Sequence, residues 1–180
     1  MKLRVIVIIA VLVLVSGGAL YAIVAPHKGE VGSTEQGSSY APDARIPPEG
    51  FEEYRSQSYR FSLLHLPSIA IKEFDEGGGA GTITFEDLEH AQGFQIFIVP
   101  YAETTISDAQ FKKDVPSAVR TDEEAITLDG VPAVAFRSRD EALGETREVW
   151  VIRGGYLYEI TAPRTLEAWL SEVLLTWKFL

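Results

Sequence analysis

Glu86-Asp87-Leu88-Glu89-His90 places three carboxylates and an imidazole within five residues. Oxygen donors at that density can hold a hard divalent cation, and the imidazole adds a nitrogen ligand. The candidate ligands are Glu86, Asp87, Glu89 and His90. The stretch lacks the calcium-loop pattern with its turn glycine, so the plainer reading is a solvated connection between strands. A second candidate is cationic. Arg137 and Arg139 share one strand face, and Arg147 and Arg153 share another. If those strands are neighbours, the four form a basic strip able to grip a carboxylate-bearing partner through bidentate pairs. The plainer reading pairs them across strands with Glu145, Glu148 and Glu159.

Other chemistry finds less material. Gly77-Gly78-Gly79-Ala80-Gly81 lacks the Lys-Ser/Thr of a phosphate loop and reads as a flexible loop between strands. The three histidines, His27, His65 and His90, stand far apart in sequence. No serine sits in a Gly-x-Ser-x-Gly elbow and no His-Glu-x-x-His occurs. Carboxylate pairs such as Asp75-Glu76 and Asp140-Glu141 are expected on the loops of an acidic chain. There is no cysteine, which removes disulfides, thiolate metal sites and thiol nucleophiles together. No catalytic residues and no cofactor are expected.

The elements that carry these residues read as strands first. Tyr59 to Leu63 alternates like a half-buried strand, and short strands follow at Ala70 to Phe74 and Thr82 to Phe85. Gly93 to Val99 is apolar on both faces, as in a central strand covered on both sides. Ser107-Asp108-Ala109-Gln110 has the capping-box form and opens a helix that stops at Pro116. Asp129-Gly130 and Gly154-Gly155, each between apolar runs, predict two hairpins. Leu166, Trp169, Leu170, Val173, Leu174 and Trp177 recur at threes and fours, so they predict one face of a last helix, with Thr165 placed to cap it. The pattern implies an α+β domain: an antiparallel sheet of about six to seven strands flanked by helices.

Several of these stretches recur in a familiar order. They are Tyr59-Arg60-Phe61-Ser62-Leu63, Gly93-Phe94 with Ile96 and Val99, and Leu128-Asp129-Gly130-Val131-Pro132-Ala133. Arg147-Glu148-Val149-Trp150, Tyr156-Leu157-Tyr158-Glu159-Ile160 and a final helix ending Thr176-Trp177-Lys178-Phe179 complete the set. Over residues 51–180 the chain resembles the PsbP-like family, in particular its bacterial PsbP-related members. The resemblance implies an α/β/α sandwich around an antiparallel sheet. It also implies a protein that binds other proteins and assists assemblies, with no shared catalytic activity. The acidic charge and the amino-terminal segment have no counterpart in the photosystem subunit of that family, so a photosynthetic role does not carry over.

That amino-terminal segment is an apolar run that starts at Val5 and ends at Ala25, behind Lys2 and Arg4. About 21 residues at about 1.5 Å each match a hydrocarbon core about 30 Å thick. Residues 1–25 therefore read as an uncleaved signal anchor in the cytoplasmic membrane, with Lys2 and Arg4 inside and the rest extracytoplasmic. The alternative is a cleaved signal peptide and a secreted domain; both export the same domain. Residues 26–50, rich in Gly, Ser and Pro, read as a flexible tether with a reach of roughly 25 to 30 Å. Residues 51–180 supply one domain.

The whole chain's 26 acidic against 16 basic residues give a net charge of −10. Such a chain is a poor nucleic-acid binder, since phosphate contacts need clustered Lys and Arg. The expectation is a non-enzymatic, single-pass protein-interaction or assembly domain with a partner at the membrane. The alternative is an extracytoplasmic domain that binds a small molecule or a divalent metal.

Overall fold

Tight turns build most of the main sheet. A computed structural model describes residues 45–180 apart from 116 and 118. In chain order its elements are β1 (Glu52–Ser56), β2 (Phe61–His65), β3 (Ala70–Gly77), β4 (Ala80–Asp87), β5 (Gln92–Pro100), α1 (Asp108–Asp114), β6 (Thr121–Leu128), β7 (Val131–Asp140), β8 (Gly144–Arg153), β9 (Tyr156–Pro163), α2 (Glu167–Leu174) and β10 (Lys178–Phe179). Seven strands form one antiparallel sheet in the order β3-β4-β5-β9-β8-β7-β6. Only β5 and β9 are neighbours drawn from distant parts of the chain.

Asp129 (φ 48°) and Gly130 (φ 75°) turn β6 into β7, and Gly154 (φ 60°) and Gly155 (φ 82°) turn β8 into β9. Positive φ at both central residues is what a type I′ hairpin needs, so both expected hairpins form. The glycine run is a third tight turn, joining β3 to β4, rather than a flexible loop. In β5, Phe94, Ile96 and Ile98 are buried while Gln95, Phe97 and Val99 on the other face are half-buried.

A second, three-stranded sheet, β1-β2-β10, has no counterpart in the sequence pattern. Its middle strand begins at Phe61, two residues later than the alternation suggests. Tyr59 and Arg60 lie in the turn before it, Arg60 with φ 57°. Its last strand comes from residues assigned to the final helix. That helix, α2, ends at Leu174. Thr176 then accepts the Leu64 N–H at 2.9 Å and donates to the Val173 carbonyl at 2.7 Å, which draws the chain onto β2. Lys178 and Phe179 pair with Ser62 and Phe61. Nor does Thr165 cap α2; it sits in a single 3-10 turn, Arg164–Leu166, and the helix starts without a side-chain cap.

The small sheet and α2 cover one face of the large sheet. Phe61, Leu63, Leu170 and Trp177 pack there on Phe85, Ile96, Val149, Val151, Tyr158 and Ile160. α1 covers part of the other face, where Phe111 and Val115 meet Phe136, Trp150 and Leu157. The domain is therefore mostly antiparallel sheet with few helices, and one outer layer of the expected sandwich is chiefly a sheet. Ser107 caps α1 by accepting the Gln110 N–H at 3.1 Å. The Gln110 side chain turns to Asp114 instead of reaching back, so only half of the capping box is made.

Among the described residues no helix is long and apolar enough to cross a membrane. The run from Val5 to Ala25 lies outside those residues, as does the segment expected to be a tether, up to residue 44.

Candidate functional site

The acidic turn is built around one buried carboxylate. Asp87 Oδ1 accepts the N–H groups of Glu89 and His90, each at 3.1 Å. Asp87 Oδ2 accepts Ser68 Oγ at 2.7 Å and pairs with His90 Nδ1 at 2.9 Å. The hydrogen bonds from Ser68 and then His90 hold this carboxyl down to about 2. The Asp87 hydrogen bond and charge raise the imidazole in turn. Glu86 points across to Lys72 Nζ at 2.8 Å. The four candidate ligands are thus neighbours, but Asp87 spends both oxygens on its own turn and on Ser68. Among the described residues no group of three or more His, Asp or Glu is placed to hold a metal ion. Ser68, Asp87 and His90 also form no nucleophilic relay. Both side chains meet the same carboxylate oxygen, so no imidazole stands between hydroxyl and carboxylate to take the proton.

The four arginines divide. Arg137 and Arg147 are direct cross-strand partners on β7 and β8. Both reach Glu167 at the start of α2, each at 3.4 Å. Arg137 also holds Asp122 at 2.6 Å, and Arg147 holds Glu124. This network ties β6, β7 and β8 to α2. Arg139 is exposed opposite Glu145, whose carboxylate is engaged by Arg164. Arg153 is six residues beyond Arg147 on β8, roughly 20 Å away at about 3.4 Å per residue. The four do not make one strip. Glu148 and Glu159 do not serve them either, because alternation sends both to the opposite face, where they are buried. Glu148 accepts hydroxyl protons from Thr146 at 2.7 Å and Thr161 at 2.6 Å. Burial nevertheless pushes its carboxyl up to about 7, against those two hydrogen bonds.

Arg153 belongs to a different constellation. The β8–β9 hairpin sets it directly opposite Tyr156, and alternation along β9 puts Tyr158 on the same face. With Arg60, Phe179 and Leu180 they line a cavity of about 290 Å³. The turn that leads into β2 delivers Arg60, and β10 delivers Phe179. The Leu180 N–H donates to the Arg60 carbonyl at 2.9 Å, and Arg60 Nε returns a long bond to the Leu180 oxygen at 3.4 Å. Tyr158 donates to the Tyr59 carbonyl at 2.6 Å, and burial first of all raises its hydroxyl to about 12, so it stays protonated. Its ring packs edge-on to Phe61, Trp177 and Phe179.

Asp129 lies close enough to feel the charge of Arg153. Its oxygens, however, take Lys178 Nζ at 2.7 Å and the Phe179 N–H at 2.9 Å. Among the described residues neither Arg60 nor Arg153 makes an ion pair with a carboxylate side chain. Two guanidinium groups over an aromatic floor can hold an oxyanion by charge-assisted hydrogen bonds. Of this group the sequence marks only Arg153 as a candidate binding residue. Arg60 was hidden because Tyr59-Arg60-Phe61 reads as continuous strand. The sole local hint was a tyrosine-rich strand returning from Gly154-Gly155.

No family model and no curated protein matches the chain. Among solved structures, the solution structure of cyanobacterial PsbP (CyanoP) from Synechocystis sp. PCC 6803 matches with a TM-score of 0.56 and 14% identity, over 76% of this chain and 96% of that one. A crystal structure of a protein from Bacteroides thetaiotaomicron VPI-5482 matches with a TM-score of 0.47 and 15% identity. It covers 73% of this chain, which spans about half of that protein's length, 49%. The described domain has a PsbP-like fold. At such identities the likeness extends to the fold alone.

Proposed function

We propose that the chain is a membrane-anchored, extracytoplasmic binding domain that holds a protein partner near the membrane and catalyses no reaction. The observation that carries this reading is the pair Arg60 and Arg153 at one cavity of an acidic domain. Arg120, Arg137, Arg147 and Arg164 each hold carboxylates of this chain. Among the described residues Arg153 holds none, and Arg60 gives only a long 3.4 Å bond to the Leu180 oxygen. The apolar run from Val5 to Ala25 and the tether behind it support the location. A slack tether raises the local concentration of the domain around a membrane neighbour without any further contact.

The test is photo-crosslinking in native membranes from the full chain, with a photoreactive residue replacing Tyr156. A discrete adduct that disappears in Arg153→Gln is expected. Recovery of nothing beyond abundant bystanders would overturn the reading. A second reading, a domain that binds a small molecule, is favoured by the shape of the site: a cavity of about 290 Å³ lies near the lower end for ligand pockets, where a flat patch would suit a protein better.

A further inference from the structure

We infer that the cavity between the β8–β9 hairpin and residues Phe179 and Leu180 is a site for a single carboxylate carried on an apolar stem. The inference rests on the reading of the chain as a binding domain and names the chemistry of what it binds. Three observations carry it. Arg153 is exposed at the rim and makes no hydrogen bond or ion pair to a side chain among the described residues. Arg60 commits only Nε, over a long 3.4 Å, to the Leu180 oxygen. Behind them the lining is aromatic, with Tyr156, Tyr158 and Phe179.

Guanidinium forks match carboxylate and phosphate oxygens alike. Here the surrounding charge decides between them. A chain of net charge −10 opposes a phosphate dianion more strongly than a carboxylate monoanion. Asp129, which feels the charge of Arg153, is held by Lys178 and the Phe179 amide and so is not available to fill the cavity itself. The apolar stem follows from the rings, which offer contact to a hydrocarbon and little to water. Such a carboxylate can come from a free organic acid or from the end of a partner's chain, and its recognition is the same.

The test uses the full chain in dodecyl maltoside micelles, followed by amide NMR at Gly154 and Gly155. The probes are 3-phenylpropionate, acetate, the uncharged 3-phenylpropanol and phenyl phosphate. Saturable shifts with 3-phenylpropionate are expected, with acetate and 3-phenylpropanol each at least about tenfold weaker. Arg153→Gln should weaken 3-phenylpropionate by about tenfold, the loss of one charge-assisted contact, while the rest of the spectrum stays unchanged. Tighter binding of phenyl phosphate would overturn the carboxylate assignment. Equal binding of acetate would overturn the stem. An unchanged affinity in Arg153→Gln would overturn the site.

A short peptide ending in a free phenylalanine carboxylate, beside its amide, separates the sources. Tighter binding of the acid peptide than of 3-phenylpropionate supports the site with a protein end as ligand; its exclusion, with 3-phenylpropionate still bound, supports the site with a free acid. Loss of the Tyr156 crosslink in membranes would instead sink the interaction role while leaving these titrations standing.

Discussion

Glu148 buries a carboxyl group that accepts from the hydroxyls of Thr146 and Thr161 rather than from a cation. Burial lifts it from an ordinary 4.5 to about 7. The folded protein therefore holds this proton more tightly than the unfolded chain does. The resulting contribution to stability is full below about pH 4.5 and is lost as pH rises from there through about 7. At about 1.4 kcal/mol per pH unit it is on the order of 3 kcal/mol. Glu148→Gln removes the titration, and the Thr146 and Thr161 hydroxyls can rotate to meet the new amide. Melting temperatures from pH 5 to pH 8 should fall in the parent and flatten in the variant, which should be at least as stable as the parent at pH 8. An identical slope in both would refute the assignment. The face of Glu148, though not its burial, was legible: residues 147 and 148 must face opposite sides of a strand, so an arginine face at 147 excludes Glu148. The acidic turn was legible only as a cluster. That Asp87 turns inward to gather Ser68 depends on β3 and β4 meeting, which no local spacing records.

At the scale of elements, the six apolar residues assigned to one helical stripe separate into two structures. Trp177 lies beyond the end of α2, is 1% exposed, and stacks on Phe61 with ring centroids 4.2 Å apart. Trp169 stays in α2, half-buried, with an edge contact to Phe94 at 5.8 Å. Truncating the buried ring removes area from the junction of both sheets, so Trp177→Ala should cost about 3 to 5 kcal/mol. Trp169→Ala should cost about half as much, since part of its surface is already in water. Urea unfolding of the two variants decides it, and equal costs would contradict the division. The hairpins could be read because a type I′ turn is a local device, satisfied by Asp129-Gly130 or Gly154-Gly155 alone. β10 could not, because two residues carry no alternation and exist as strand only by pairing with β2. The period of three and four simply runs on through Leu174 to Trp177 after the helix has stopped.

At the scale of the whole molecule, Arg45 and the cavity stand at opposite ends of the small sheet. Arg45, where the described chain begins, holds Glu53 at 3.1 Å and reaches the Thr176 carbonyl, beside Leu64. Arg60 and Leu180 lie past the other end of β2, about five residues or roughly 17 Å away. If residues 26–44 are the tether proposed above, a chain that enters at the Arg45 end leaves the arginine cavity free to face a neighbour rather than its own stalk. That arrangement has a purpose only if the run from Val5 to Ala25 stays in the membrane. Its thirteen Val, Ile and Leu residues favour insertion by about 4 to 8 kcal/mol, and one arginine at its centre would oppose this by about 3 kcal/mol. The full chain is therefore expected in the pellet after alkaline carbonate extraction, and Val13→Arg should shift part of it to the supernatant. Protease added outside spheroplasts should cut between residues 26 and 44 and release a folded domain, because the core of the two sheets resists cleavage where an apolar-poor tether does not. Release of the parent by carbonate alone would make the run a cleaved signal and the domain a secreted one. Full protection from outside protease would place the domain on the inner side and overturn the orientation set by Lys2 and Arg4.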